Sequence, residues 1–132
     1  MIRAVLDTNI FISSVFWKGN PYEAVKRGIE GEYRIVVSPE ILDEVAERLR
    51  NKFQFSEEGI QELVDIVLTY SHIVEPTSKF DAVRDKKDNK ILECAFDGKA
   101  NCVVTGDPDL LILKEFGEIK IVTAREFLEK II

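Results

Sequence analysis

Two aspartates follow short apolar runs that have the composition of buried strands. Asp7 comes directly after the run at 2–6, and Asp107 comes after the run at 102–105. In a parallel sheet the carboxyl ends of the strands point to one edge, so acids at two such ends meet although they are far apart in sequence. Because Mg²⁺ and Mn²⁺ prefer oxygen ligands, this edge is a candidate metal site.

The stretch around Asp107 also has a simpler interpretation. Asp is a good N-cap and Pro is favoured at the first helical position, so Asp107 and Pro108 could simply start a helix. An N-cap contributes about 1 kcal/mol, whereas two carboxylates about 4 Å apart repel by about 4 kcal/mol at an effective dielectric near 20. Capping therefore cannot sustain a cluster of acids, which needs protons or a divalent cation.

Asp88 is a third candidate because it lies on the apolar side of a predicted helix. At 100° per residue it falls near the middle of the stripe formed by Ile91, Leu92, Ala95 and Phe96. An inward-facing carboxylate needs a partner. The alternative is that Asp85 caps this helix and that the helix dipole favours Asp88 in the first turn, by about 0.3 to 1 kcal/mol.

The helix predicted over 39–51 offers two further acids that the helical wheel cannot separate. Glu44 and Asp43 each lie about 130° from the centre of the apolar stripe, on opposite sides. A solvated face is the default interpretation of both.

Strands and helices alternate along most of the chain. Five β-branched runs, at 2–6, 34–37, 72–74, 102–105 and 120–123, predict strands of a parallel sheet with helices on both faces. The clearest helix covers 57–70 behind a Ser56 cap, and helix starts are predicted at Ser38–Pro39, at Asn20–Pro21 and at the capping box 123–126. We expect one domain over residues 1–132, because there is no repeat or linker pattern.

Composition limits the function classes. The net charge of −6 argues against nucleic-acid binding through overall positive charge, but not against an enzyme whose acids are concentrated at a metal site. The chain has neither an apolar run near the roughly 18 residues of a membrane span nor a signal-peptide pattern, so we expect a cytoplasmic protein with no membrane partner. Cys94 and Cys102 are expected to be reduced thiols, and His72 is expected to be structural.

Four segments together resemble the PIN domain family. They are LDTN at 6–9, SPE at 38–40 leading to Glu44, DKKDNK at 85–90 and TGDPDLL at 105–111. The resemblance covers essentially the whole chain and is nearest to prokaryotic single-domain PIN proteins similar to VapC-type toxins of toxin–antitoxin pairs. It implies an α/β fold, a three-layer α/β/α sandwich whose central, mainly parallel sheet has about five strands.

The resemblance also implies a ribonuclease that depends on one or two Mg²⁺ or Mn²⁺ ions. RNA is the implied substrate, and an antitoxin protein and a second copy of the chain are the implied partners. The implied acidic quartet is Asp7, Glu44, Asp88 and Asp107, so the family pattern selects Glu44 over Asp43. Asp109 is an additional candidate metal ligand, and Asn9 and Thr105 stand where the family has small polar residues that help to arrange the site.

Positively charged side chains near the quartet are candidates for binding RNA phosphates, although such charges are as often solvated surface. These candidates are Arg48, Arg84, Lys86, Lys87 and Lys90. Phe16 and Trp17 could stack a base or pack in a dimer interface, and burial is the commoner fate of such a pair.

Two other function classes remain open from the sequence. A non-catalytic PIN fold could serve as a nucleic-acid-binding or protein-interaction module. A phosphoacceptor receiver domain would also have an acidic, Mg²⁺-binding edge, but it needs an Asp at the end of the third strand and a Lys after the last strand. The segments at 71–76 and at Thr123 supply neither residue.

Overall fold

The structure is a computed structural model that describes residues 1–131. The strands are β1 (Arg3–Leu6), β2 (Arg34–Val37), β3 (Ser71–Ile73), β4 (Cys102–Val104), β5 (Glu115–Phe116) and β6 (Ile119–Val122). The helices are α1 (Thr8–Phe16), α2 (Asn20–Ile29), α3 (Pro39–Asn51), α4 (Glu57–Tyr70), α5 (Lys86–Asp97), α6 (Pro108–Leu111) and α7 (Ala124–Ile131).

The strands form one sheet in the order β3-β2-β1-β4-β6-β5. All neighbouring pairs are parallel except β5 with β6, which is antiparallel. The five predicted strands are therefore present in a mainly parallel sheet, as the sequence indicates. The additional strand, β5, has only two residues and is paired through the turn at Gly117, where φ is +61°; so short a run leaves no β pattern to detect.

The helices cover both faces of the sheet. Ile35 and Val36 are successive residues of β2, so their side chains point to opposite faces. A Cβ on Gly28 of α2 would lie 2.5 Å from Ile35 Cδ1, and a Cβ on Gly98 at the end of α5 would lie 2.5 Å from Val36 Cγ1. Since α2 and α5 thus pack on opposite sides of β2, the three-layer α/β/α arrangement is confirmed.

Most of the predicted helix starts are correct. Ser38 Oγ accepts from the Ile41 N–H at 3.3 Å, and Ser56 Oγ accepts from the Gly59 N–H at 3.0 Å. Thr123 and Glu126 form the reciprocal bonds of a capping box. The predicted Asn20 cap is wrong: α2 already includes Asn20, its N-cap is Gly19, and no side chain of the described part of the chain caps it. Pro21 therefore occupies the second helical position, where its missing N–H is equally harmless.

Three further predictions concern the two cysteines, His72 and the absence of a membrane-spanning helix. Cys94 and Cys102 are both buried free thiols, as expected. His72 lies in a strand as predicted, the edge strand β3, and its side chain is exposed. Within residues 1–131, no helix combines the length and the apolar character needed to cross a membrane.

The contact between α2 and β2 makes Gly28 sensitive to substitution. In Gly28→Ala the new methyl would meet two Ile35 carbons at 2.5 Å, which a buried strand residue cannot avoid without moving. We expect the free energy of unfolding to fall by about 1–3 kcal/mol in urea denaturation. Gly106→Ala is the control, because a Cβ there meets no heavy atom of residues 1–131 within 4 Å beyond its chain neighbours; equal losses in both variants would contradict the prediction.

Candidate metal centre

The carboxyl edge of the sheet carries a small acidic pocket. Asp7 follows β1, Asp107 follows β4, and Asp88 lies in the first turn of α5. The residues that line this acidic pocket are Asp7, Asn9, Glu44, Arg48, Asp85, Lys87, Asp88 and Asp107. Its volume of about 40 Å³ is far below the roughly 300–1,000 Å³ of sites for drug-sized ligands. The pocket is therefore of a size for an ion.

Thr105 holds two of the acids together. Because β1 and β4 are neighbours in the sheet, the Asp7 N–H donates to the Val104 carbonyl at 2.9 Å. The next residue, Thr105, is fully buried and donates from Oγ1 to Asp7 Oδ2 at 2.7 Å. The same hydroxyl oxygen accepts from the Asp107 N–H at 2.9 Å. Thr105 thus orients the Asp7 carboxylate and the backbone that presents Asp107.

Both interpretations of Asp107 describe part of the structure. Its Oδ1 accepts from the Asp109 N–H at 2.9 Å and caps α6, as the capping alternative requires. One carboxylate oxygen from each of Asp88, Asp107 and Asp109 also lies within 4.8 Å of the others. At such separations the repulsion between charged carboxylates exceeds what one N-cap contributes. The cluster therefore needs positive charge or protons in addition to the cap.

Asp88 carries the clearest sign of a missing partner. Its side chain is 6% exposed, and its Oδ2 is buried without a hydrogen-bond partner among the described residues. Burial, together with the carboxylates of Asp107, Asp7 and Asp85, raises the pKa of Asp88 to about 7. An oxygen-rich group with an unpaired buried oxygen is suited to a hard divalent cation, so the residues fit Mg²⁺ or Mn²⁺.

Asp7 and Glu44 line the acidic pocket but lie outside the tight group of three carboxylates. Burial raises the pKa of Asp7, against the lowering effect of the Thr105 hydrogen bond. Burial also raises the pKa of Glu44, and the Arg48 guanidinium opposes that shift. Glu44 Oε1 lies 3.1 Å from Arg48 Nη2, and Arg48 Nη1 donates to Asn9 Oδ1 at 2.7 Å.

The structure separates Glu44 from Asp43, which the helical wheel could not. Glu44 is half-buried and lines the pocket, whereas Asp43 is exposed and does not line it. The solvated default is therefore wrong for Glu44, and the family pattern chose the residue that faces the pocket. The wheel missed it because the pocket lies at the sheet edge, away from the core stripe of α3.

The predicted phosphate-binding side chains occupy three different places. Arg48 and Lys87 line the acidic pocket. Lys86 and Lys90 line a separate depression beside α5, and Lys90 Nζ lies 2.5 Å from Glu40 Oε2. Arg84 is exposed in the loop before α5 and does not line the pocket. The structure therefore brings only two of the five to the acids.

The aromatic pair at the end of α1 is on the surface. Trp17 is 63% exposed, and Phe16 is 37% exposed while packing against Phe53 and Phe55. The expectation that the pair is buried is wrong, because α1 ends at Phe16 and the chain turns away there. By contrast, Ile10, earlier in the same helix, is in the core.

Sequence reasoning missed the residues that hold the loop before α5. The acceptors Asn89, Glu93 and Asp97 are spaced by four, so they lie along one face of α5. Asn89 Oδ1 accepts from the Ala82 and Val83 N–H groups, Glu93 from that of Phe80, and Asp97 from those of Thr77 and Ser78. The loop that leads to Asp85 and Asp88 is therefore fixed along α5. The four-residue spacing was the available signal.

Three comparisons with known proteins each found a match. Residues 3–109 match the family model of the PIN domain. The chain is 31% identical over 143 residues to an uncharacterized protein of Methanocaldococcus jannaschii, with 98% of this chain and 91% of that protein covered. The fold is similar to that of a chain in the crystal structure of VapBC2 from Rickettsia felis bound to a DNA fragment from their promoter. That similarity has a TM-score of 0.63 at 16% identity and covers 91% of this chain and 97% of that chain.

The matched segment contains all the residues of the acidic pocket, from Asp7 to Asp107. The family model covers most of the chain, and the relative from M. jannaschii aligns along nearly its whole length. The chain therefore belongs to the PIN domain family.

Proposed function

We propose that this protein is a divalent-metal-dependent ribonuclease, with residues 1–132 as one nuclease domain, and that it is the toxin of a toxin–antitoxin pair. Members of the PIN domain family are generally nucleases. The observation that carries the proposal is the buried Asp88 Oδ2, which has no hydrogen-bond partner within residues 1–131 and belongs to a side chain close to other carboxylates. Such an arrangement is costly unless a cation or a proton compensates it.

Asp88, Asp107 and Asp109 would hold the ion, with Asp7 and Glu44 on the adjoining walls of the pocket. When bound, Mg²⁺ or Mn²⁺ supplies Lewis-acid catalysis, by polarising a phosphoryl oxygen and making water a better nucleophile at neutral pH. The donor set is entirely oxygen, which suits these hard cations better than zinc.

The other residues of the pocket position reactants. Thr105 fixes the Asp7 carboxylate through the hydrogen bond from its hydroxyl. Glu44 is engaged by Arg48 through Oε1, which leaves Oε2 to accept a hydrogen bond from the attacking water. Lys87 supplies positive charge at the pocket, which would attract an RNA phosphate to the acids there.

The test is cleavage of a mixed cellular RNA pool by the purified protein with Mn²⁺, with Mg²⁺ and with EDTA. A pool is needed because a site-specific enzyme would ignore an arbitrary oligonucleotide. We expect discrete fragments with either cation and intact RNA with EDTA. Cleavage that persists in EDTA would contradict a metal-dependent enzyme. Cation binding without any cleavage would favour the non-catalytic PIN module instead.

A matched pair of variants on α3 tests the assignment of Glu44. Glu44→Gln removes the charge that faces the pocket, and Asp43→Asn makes the same change on the exposed residue before it. We expect Glu44→Gln to reduce the cleavage rate by about ten- to a hundredfold, the range typical of residues that support a metal site, and Asp43→Asn to leave it unchanged. Equal rates in the two variants would remove Glu44 from the site.

The toxin role has its own test in living cells. The fold shared with VapBC2 supports an antitoxin partner, and cytoplasmic RNA is the proposed target. Induced expression of the parent protein should arrest bacterial growth, whereas Glu44→Gln should not. Sedimentation of the purified protein will show whether a second copy is also a partner. Normal growth with abundant, active parent protein would exclude the toxin role while leaving the nuclease proposal in place.

A further inference from the structure

One guanidinium group joins two helices at the mouth of the acidic pocket. Arg48 on α3 donates from Nη1 to Asn9 Oδ1 on α1 at 2.7 Å. Its Nη2 lies 3.1 Å from Glu44 Oε1, one turn earlier on α3. Two separate nitrogens of one planar group are thus used on two different partners.

The surroundings of Arg48 differ from those of the other arginine on α3, Arg50. The side chains of Arg48 and Glu44 are 33% and 19% exposed. Two residues later, Arg50 pairs with Glu57 across to α4, and those side chains are 46% and 68% exposed. Exposed pairs contribute little because water and salt screen them. The Arg48–Glu44 pair is more shielded and lies at the pocket, whereas the hydrogen bond from Arg48 to Asn9 is exposed.

We propose that Arg48 is a positioning residue that fixes the Glu44 carboxylate at the pocket by tying it to Asn9. The inference rests on the proposed function, because it assigns Arg48 a role in arranging that same site. It differs from the phosphate contact that the sequence indicates for Arg48, because it assigns both terminal nitrogens of the guanidinium to contacts within the protein. Asn9, which follows Asp7 and Thr8 in the first turn of α1, is the end of the link on that helix.

The chemistry of arginine makes this role distinguishable from a charge effect. A lysine keeps the positive charge but has a single nitrogen, so it cannot reproduce the fork that reaches Asn9 and Glu44 together. A phosphate contact depends mainly on charge, so Arg48→Lys would preserve it. A positioning role depends on the fork, so Arg48→Lys would lose it.

The first measurement needs no activity. In metal-free protein labelled with ¹³C-glutamate, the Glu44 carboxylate resonance is identified by its loss in Glu44→Gln. We expect Arg48→Ala, Arg48→Lys and Asn9→Ala each to move this resonance toward that of the exposed glutamates. Arg50→Ala is the matched control, which should move the Glu57 resonance and leave Glu44 in place. A Glu44 resonance unchanged in Arg48→Ala and in Asn9→Ala would overturn the proposal, and Asn9→Ala decides it if Arg48→Ala does not fold.

The second measurement determines kcat and KM separately on an RNA that the parent cleaves, so that effects on turnover and on substrate binding are distinguished. We expect kcat to fall about ten- to a hundredfold in Arg48→Ala and in Arg48→Lys, with KM within about threefold of the parent. A rise in KM that Arg48→Lys reverses would identify a phosphate contact and overturn the positioning role. If the parent cleaves no RNA, the proposed nuclease function fails, and the Glu44 resonance still decides whether Arg48 positions that carboxylate.

Discussion

Replacing Asp88 with asparagine is expected to reduce metal-dependent RNA cleavage by at least about a hundredfold and to stabilise the metal-free protein. The loss follows because Asp88 supplies a carboxylate oxygen to the group that would hold the cation. The gain in stability follows because Asp88 is buried beside Asp107, Asp7 and Asp85, whose charges oppose its ionisation. An amide of nearly the same shape removes that repulsion and can donate a hydrogen bond to a neighbouring carboxylate.

The stability change is measured by urea denaturation in EDTA at pH 8, where the Asp88 carboxyl, with its pKa of about 7, is ionised. We expect Asp88→Asn to raise the free energy of unfolding by about 1–2 kcal/mol, after a reduction for solvent screening. Asp43→Asn makes the same charge change on an exposed residue and should have little effect. The sign of the change in the free energy of unfolding distinguishes repulsion within the acidic cluster from a helix-dipole effect. If Asp88 were only a favourable charge at the start of α5, Asp88→Asn would lower the free energy of unfolding by about 0.3–1 kcal/mol.

The meeting of Asp7 and Asp107 could be predicted because it depends on topology alone. Each follows a short buried strand, and parallel strands end at the same edge of a sheet. The two acids lie closer together than a shared sheet edge alone requires, because β1 and β4 are direct neighbours. The inward position of Asp88 was predictable for a similar reason, since its place on α5 is set by the same periodicity as the core residues.

Glu44 could not be chosen from the sequence by physical reasoning, because a helical wheel measures direction relative to the core of its own helix. The acidic pocket is formed between α1, α3 and α5, off the core stripe of α3. The contacts of Arg48 were hidden for a related reason. A sequence gives the charge of an arginine but not its partners, and Asn9 is 39 residues away.

The polar residues of α5 that hold the preceding loop could not be recognised from the usual exposure of polar residues. Polar residues of a helix are usually solvated, yet Asn89 and Glu93 are each 5% exposed. They are buried because they accept backbone N–H groups that no strand partner satisfies. The exposure of Trp17 is the reverse case, in which an apolar side chain lies past the end of its helix and outside the core.

The metal-free protein is expected to lose stability as the pH rises from about 5 to 8. In the folded protein the pKa of Asp88 is about 7, against an ordinary value of 3.8, so the folded state keeps a proton that the unfolded chain releases. The stabilisation is complete below the unfolded pKa and is lost as the pH passes the folded pKa. Burial raises the pKa of Asp7 and of Glu44 in the same direction.

Other carboxylates do not obscure this trend in that interval. Hydrogen bonds lower the pKa of Asp97 and of Glu126, so their contributions have the opposite sign. Those contributions are gained as the pH rises toward the unfolded pKa values near 4, and they are nearly complete by about pH 5. We expect urea denaturation in EDTA to show a net decrease of about 2 kcal/mol between pH 5 and 8, after allowance for solvent screening.

Mn²⁺ should reverse this pH dependence, because a cation binds the ionised carboxylates and competes with the proton. The increase in Tm on adding Mn²⁺ should therefore be small at pH 5 and grow through pH 7, where Asp88 loses its proton. Asp88→Asn should show a smaller decrease in EDTA, because Asp7 and Glu44 still contribute to it, and should lose most of the Mn²⁺ effect. The contradicting result would be a parent protein whose free energy of unfolding in EDTA is constant from pH 5 to 8 and whose Tm does not respond to Mn²⁺. The carboxylates of the acidic pocket would then tolerate one another without a cation. In that case the capping of α6 alone would explain Asp107.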